Sequence, residues 1–193
     1  MRALLISTYE LGRQPFGLAS PTAWLRQAGW DVDCVDLTKD RLRGDVISGA
    51  ALIGFHLPMH TATRLAGPAI AKVRELNPSA RLCAYGLYAP LNAEWLRSIG
   101  IDEIVGGEFE EALTAIARTL EQSGSSFNRP ALSAANGSNH ERPPLPRIHF
   151  LVPDRRGLPS LDRYATLHMP DGSQRTVGST EASRGCKHRC RHC

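Results

Sequence analysis

The order of short β-like runs and amphipathic helical stretches predicts an α/β fold on a parallel sheet, followed by a linker and a cysteine-bearing segment. Three observations carry that prediction. Through residue 122, five apolar strand-like runs each precede a helical stretch or an irregular connection, the alternation that parallel strands with crossover connections require. Residues 123–147 then hold 5 Ser, 4 Pro, 3 Asn and 2 Gly with no apolar period, which is the composition of a flexible linker. Finally, three of the 5 Cys crowd into the last eight residues.

The elements follow in order. Ala3–Ser7 is the first strand, followed by a long loop to Phe16 and a helix that Ser20 is expected to cap, with Pro21 in its first turn and Gly29 at its end. Asp31–Leu37 is the second strand, and residues 38–49 carry no regular pattern. Leu52–Leu57 is the third. Its helix places Leu65, Ala69, Ile70, Val73 and Leu76 on one face and stops at Asn77-Pro78. Arg81–Tyr85 is the fourth strand, with a helix over Asn92–Ile99 that Gly100 ends. Asp102–Val105 is the fifth, and Phe109, Ala112, Leu113, Ile116 and Leu120 stripe the last helix. Residues 148–193 are too few and too polar to bury a core, so that segment is expected to be poorly ordered on its own.

With 42% hydrophobic and 22% charged residues, the 193-residue chain is neither disordered in bulk nor a disulfide scaffold. Its longest apolar runs fall far short of the ~20 residues that span a bilayer, and Met1-Arg2 leads straight into a strand, so a cytoplasmic protein without a membrane partner is expected. The net charge of +4 divides unevenly: residues 1–122 hold 12 Lys/Arg against 14 Asp/Glu, and residues 123–193 hold 11 against 5. The basic charge therefore belongs to the tail and not to one uniform face, which argues against nucleic acid as partner. Cys34 and Cys83 sit in apolar runs, whereas Cys186, Cys190 and Cys193 cluster. An odd count so arranged favours a metal site in a reducing compartment over disulfides.

The cluster reads Cys186-Lys-His-Arg-Cys190-Arg-His-Cys193, a C-x3-C-x2-C spacing. Three thiolates that close together converge on one inorganic centre without help from distant chain. A cubane iron–sulfur cluster normally takes four Cys ligands, so supplying three leaves one iron open to a substrate or cofactor, a catalytic arrangement. A zinc knuckle completed by His188 or His192 is the competing reading. Lys187, Arg189 and Arg191 would offset the negative charge of bound thiolates, or stand as a solvated basic loop.

With this spacing and its Ser183-Arg184-Gly185 lead-in, the chain resembles the radical S-adenosylmethionine (SAM) superfamily. The resemblance implies that Cys186, Cys190 and Cys193 ligate a 4Fe-4S cluster whose open iron binds the amino and carboxylate groups of SAM. An electron from a donor such as flavodoxin or ferredoxin would then cleave SAM to a 5′-deoxyadenosyl radical that abstracts hydrogen from a substrate the sequence does not identify. One departure is His192, which stands where the family usually has an aromatic residue.

At the ends of the third, fourth and fifth strands stand Phe55-His-Leu-Pro-Met59-His-Thr-Ala62, Tyr85-Gly-Leu-Tyr88 and Asp102-Glu-Ile-Val-Gly106-Gly107-Glu108-Phe-Glu110. On these turns the domain resembles the flavodoxin-like cobalamin-binding domain of cobalamin-dependent radical SAM proteins. Adding Leu5–Gly12, Tyr85–Asn92 and Glu181–Cys193 to the Met59-His-Thr-Ala stretch, the chain looks most like the subgroup called CUAEP/CCAEP-tail radical SAM proteins. The resemblance implies that Gly12, Met59, Thr61, Gly86, Gly106 and Glu108 border a corrin at the strand carboxyl ends, where an open α/β sheet keeps its ligand crevice. The glycines would permit close backbone approach, and bulk at Gly86 would block a flat ligand while sparing the fold.

The first loop, Thr8–Gly17, lacks the Asp-x-His-x-x-Gly that supplies a lower imidazole to cobalt in other cobalamin proteins, and no His precedes His56. The lower face of the corrin would meet loop backbone, apolar side chains, or His56 or His60. For both histidines a hydrogen-bonded loop role is favoured over ligation. Gly106-Gly107-Glu108 ends the fifth strand, ahead of the cysteine loop, and is assigned to the cobalamin-like domain and not to the SAM-contacting Gly-Gly-Glu of the family's barrel. No G-x-G-x-x-G follows the first strand, so a dinucleotide site is excluded. The catalytic barrel expected after Cys193 is not part of the sequence, so the chain is expected to be an inactive fragment of such an enzyme. A free-standing corrinoid-binding module and a zinc-bearing adaptor are the alternatives.

Overall fold

Strands buried on both faces need near-continuous apolar runs, and Leu52–His56 is buried at every position. In the computed structural model, which describes residues 1–123 and 149–182, this is β3 of a five-stranded parallel sheet. The others are β1 (Arg2–Ser7), β2 (Asp31–Asp36), β4 (Arg81–Tyr85) and β5 (Glu103–Val105), in the order β2-β1-β3-β4-β5. Four helices connect them, α1 (Phe16–Gln27), α2 (Gly44–Ser48), α3 (His60–Leu76) and α4 (Ala93–Ser98), and α5 (Glu110–Ser123) follows β5. Alternation along each strand divides the core. Leu4, Ile6, Ile53, Phe55 and Leu82 pack with Ile70 and Val73 of α3 and Leu96 of α4. Leu5, Leu52, Cys83 and Tyr85 pack with Leu18 and Leu25 of α1 and Leu113 and Leu120 of α5. Each large aliphatic or aromatic side chain so buried contributes roughly 1.5–3 kcal/mol.

The expected five-stranded parallel, flavodoxin-like α/β domain is the one observed. Its helices differ from the sequence reading in three places. Helix α1 starts a turn early, at Phe16, so Ser20 lies inside it, and its hydroxyl donates to Glu110 Oε1 at 2.6 Å across to α5. Pro21 is likewise interior and cannot bond the carbonyl of Gly17. That carbonyl instead accepts from the Tyr85 hydroxyl at 2.9 Å, which makes an interior proline tolerable. In α3 the buried face is Ala62, Thr63, Ala66, Ala69, Ile70 and Val73, while Leu65 and Leu76 of the expected stripe are exposed. The small alanines let the helix lie close to the sheet, and the leucines fall outside the arc they define. Residues 44–48, without pattern in sequence, form the short α2.

Residues 149–182 depart further from expectation. They contain a 3-10 turn, Leu161–Arg163, and an exposed antiparallel hairpin, β6 (Thr166–His168) with β7 (Gln174–Thr176). The segment is fastened to the α/β domain by polar groups. Asp154 N–H donates to the Ala19 carbonyl at 2.9 Å, and Arg26 Nη1 reaches Asp154 Oδ2 at 2.8 Å. Gln14 Nε2 donates to the Pro159 carbonyl at 2.8 Å, Arg155 Nη1 to Gln14 Oε1 at 2.6 Å, and Ser179 Oγ to the Gln14 carbonyl at 2.8 Å. Ala165 N–H donates to the Gly12 carbonyl at 2.9 Å and the Tyr164 hydroxyl to Asp36 Oδ2 at 3.0 Å. This part of the expected lead-in is thus a strap, ordered by hydrogen bonds to the domain and not by a core of its own. Most of the linker, and Cys186, Cys190 and Cys193, lie outside the described residues.

Candidate functional site

Parallel strands send all their carboxyl ends to one edge, and the strand order reverses between β1 and β3, which opens a crevice there. The β1–α1 loop rises over it. Thr8 Oγ1 ties the loop to the Ala62 carbonyl at 2.7 Å. Leu11 then takes φ +53°, the one positive φ of a non-glycine among the described residues, and Gly12 takes +75°. Such a conformation costs a leucine of the order of 1–3 kcal/mol and is held only where its surroundings over-determine it.

All six residues assigned to the corrin lie on this edge. Gly12 is exposed in the first loop, against Ala165 of the strap. Met59, half-buried, precedes α3, and Thr61 is exposed in its first turn. Glu108 is half-buried before α5. Gly86 and Gly106 are glycines for a different reason than ligand approach. Gly86 is buried at φ +107°, and a Cβ there would stand 3.0 Å from the Leu57 carbonyl oxygen. A Cβ at Gly106 would stand 2.5 Å from Pro90 Cγ. Both let the edge loops close on one another. The expectation that bulk at Gly86 spares the fold is therefore corrected. Gly107, at φ +62°, faces open space.

Sequence reasoning missed the rim. Leu11, Leu87 and Leu91 are 51%, 53% and 66% exposed on the loops after β1 and β4. Loop leucines carry no periodic signal, so only their position identifies them.

Neither histidine is held as anticipated. His56 is 2% exposed, its ring tilted against those of Tyr85 and Phe109 at centroid distances of 5.3 and 5.7 Å. A Cβ on Gly17 would fall 2.1 Å from its ring, so the ring fills the space that glycine leaves. So enclosed, it does not offer a nitrogen to a cobalt lying on the edge. Nor is its Nδ1 hydrogen-bonded: the nearest acceptor, Glu10 Oε2, is 3.6 Å away. His60 is exposed at the first position of α3.

Burial pushes the Cys34 thiol up to about 11 and that of Cys83 further, so both are inert in the core. Among the described residues no group of three His, Cys, Asp or Glu side chains is placed to hold a metal ion. A shallow groove of about 800 Å³ runs between α1 and the strap, lined by Ala23, Arg26, Gln27 and Leu151–Arg156, away from the carboxyl edge. Among the described residues no helix is long and apolar enough to cross a membrane.

Fold and edge together define a doubly wound α/β protein of the flavodoxin-like class. No protein-family model matches the chain, and no curated protein matches it. Solved structures are similar to part of the chain. One is a response regulator protein from Burkholderia pseudomallei, solved with a phosphorylated aspartic acid, a calcium ion and citrate; identity is 16%, the TM-score 0.43, and the match covers 62% of this chain and 72% of that one. Another is a CheY-like response regulator receiver domain from Methanospirillum hungatei JF-1, at 17% identity and TM-score 0.45, covering 64% and 98%. A third is a flavodoxin from the domain Archaea, at 11% identity and TM-score 0.38, covering 62% and 93%. These likenesses concern the fold alone.

Proposed function

We propose that this chain carries the cobalamin-binding domain and the cluster motif of a cobalamin-type radical SAM protein of a reducing, cytoplasmic compartment. The observation that carries the reading is the C-x3-C-x2-C spacing of Cys186, Cys190 and Cys193 behind a doubly wound α/β domain. Cys186, Cys190 and Cys193 would hold a 4Fe-4S cluster with one iron left open to SAM, and the cluster so loaded, reduced by a flavodoxin- or ferredoxin-like donor, would supply radical chemistry.

The edge supports a corrinoid by its surface chemistry. Leu11, Leu87 and Leu91 offer exposed apolar contact to a flat macrocycle, Gly107 offers open backbone, and Met59 and Thr61 border the same edge. Gly12 and Glu108 border it from the first and last loops, while Gly86 and Gly106 shape it by letting the loops pack. The first loop contributes no imidazole and His56 is enclosed, so this edge would hold a corrinoid through loop backbone and leucine and not through a cobalt-ligating histidine.

Anaerobic reconstitution of the full chain with iron and sulfide tests the cluster. The expected result is charge-transfer absorption and bound iron that Cys→Ala at any of the three positions reduces. Unchanged iron in those variants overturns the assignment. Stoichiometric zinc held by the same cysteines in protein purified without added metal would establish instead the adaptor that His188 and His192 make conceivable. Calorimetric titration with hydroxocobalamin tests the domain, and absence of both heat and spectral shift at millimolar ligand removes the corrinoid.

A further inference from the structure

Beneath the β1–α1 loop, three buried polar atoms have no hydrogen-bond partner: Ser7 Oγ, Glu10 Oε2 and His56 Nδ1. Glu10 Oε2 and His56 Nδ1 face each other, and Ser7 is the strand neighbour of His56. Ser7 and His56 end β1 and β3, are paired in register, and point to the same face of the sheet. Glu10, whose side chain is 15% exposed, brings Oε2 to 3.6 Å from His56 Nδ1, too far to bond but close enough for one small group to touch both. Leaving a buried polar group unsatisfied is costly, so three at a strand-order reversal point to a ligand. The residues immediately after Glu10 are the strained Leu11 and Gly12, which place a conformational joint where the loop carrying Glu10 would have to lift.

We propose that Ser7, Glu10 and His56 form a subsite for a primary carboxamide of the bound ligand. An amide nitrogen has two hydrogens: one meets Glu10 Oε2, the other His56 Nδ1 in the tautomer protonated at Nε2, and the amide oxygen accepts from Ser7 Oγ. A carboxylate in the same place has no hydrogen for Glu10 and repels it. The inference rests on the corrinoid reading, since a corrinoid is ringed by primary amides, and it assigns the subsite a selectivity: peripheral amides are accepted and peripheral acids refused.

The test compares binding of hydroxocobalamin, dicyanocobinamide and dicyanocobyrinic acid to the full chain and to its Ser7→Ala and Glu10→Gln variants, with thermal unfolding of each without ligand. The expected result is amide-bearing ligand bound at least ten-fold more tightly than the acid. Glu10→Gln should weaken amide binding about ten-fold, as loss of a charged hydrogen-bond acceptor does, and narrow the preference over the acid because the repelling charge is gone. Unfolding temperatures should hold or rise, since Ser7→Ala removes an unbonded buried hydroxyl and Glu10→Gln keeps the size of the side chain while removing its carboxylate. An amide preference that Glu10→Gln and Ser7→Ala both leave unchanged overturns the subsite while the corrinoid reading stands. No binding of any of the three compounds overturns both.

Discussion

At Gly86 the backbone takes φ +107° with the Leu57 carbonyl 3.0 Å from where a Cβ would stand, so this residue bears on stability before it bears on any ligand. Gly86→Ala should lower stability by about 1–3 kcal/mol, measured by urea unfolding; an unchanged midpoint would contradict the packing role. Tyr85 is a second such residue. Its hydroxyl satisfies the Gly17 carbonyl that Pro21 leaves without a helical partner, so Tyr85→Phe should cost roughly 1–3 kcal/mol although it removes one atom. From sequence Pro21 reads as a helix start, because the tyrosine that makes an interior proline acceptable lies in a strand 64 positions away. Likewise their strand-end positions in sequence place Gly86, Gly106, Met59 and Glu108 at the carboxyl edge of the sheet, where they lie. That two of these glycines serve contact with Leu57 and Pro90 is a fact of loop packing that spacing does not encode.

The strap shows the limit of pattern reading at the level of elements. The strands were legible because burial on both faces leaves continuous apolar runs, and β4 was bounded correctly to the residue. The strap docks through Arg, Asp, Gln, Ser and Tyr, a composition indistinguishable in sequence from a solvated segment. Hydrogen bonds from Arg156 and Arg26 hold the Asp154 carboxyl well below the usual carboxylate range. A lowered native value adds stability above the unfolded value near about 4, which is lost only as pH falls through the native one. The Asp154 amide, bonded to Ala19, should therefore keep its protection, relative to an unstructured amide at the same pH, down to about pH 4 and lose it only in stronger acid. Hydrogen exchange resolved at that amide checks this, and loss of protection between neutrality and about pH 4 would count against the clasp.

For the whole molecule, the cysteines fall into two chemical populations. Cys34, pushed up to about 11, and Cys83, raised further, stay protonated and enclosed near neutrality, whereas Cys186, Cys190 and Cys193 have no apolar run around them. Titration of the metal-free native chain with a thiol reagent at about pH 8 should give three fast thiols and release the other two only on denaturation. Four or five fast thiols would mean that the sheet does not protect its cysteines.

The strap joins residues 12–40 to residues 154–179, so every bond in it closes a long stretch of chain. Contacts of such wide separation form late, and during synthesis the whole sheet has emerged before the first strap residue exists. Each newly made molecule therefore passes through an interval in which the first loop is tied by Thr8 to Ala62 but not yet held by the strap at Gly12 and Gln14. The order in which the ribosome delivers the chain leaves the α/β domain to fold before its clasp is made, and fastening of Gln14 by Arg155 and Ser179 closes that interval.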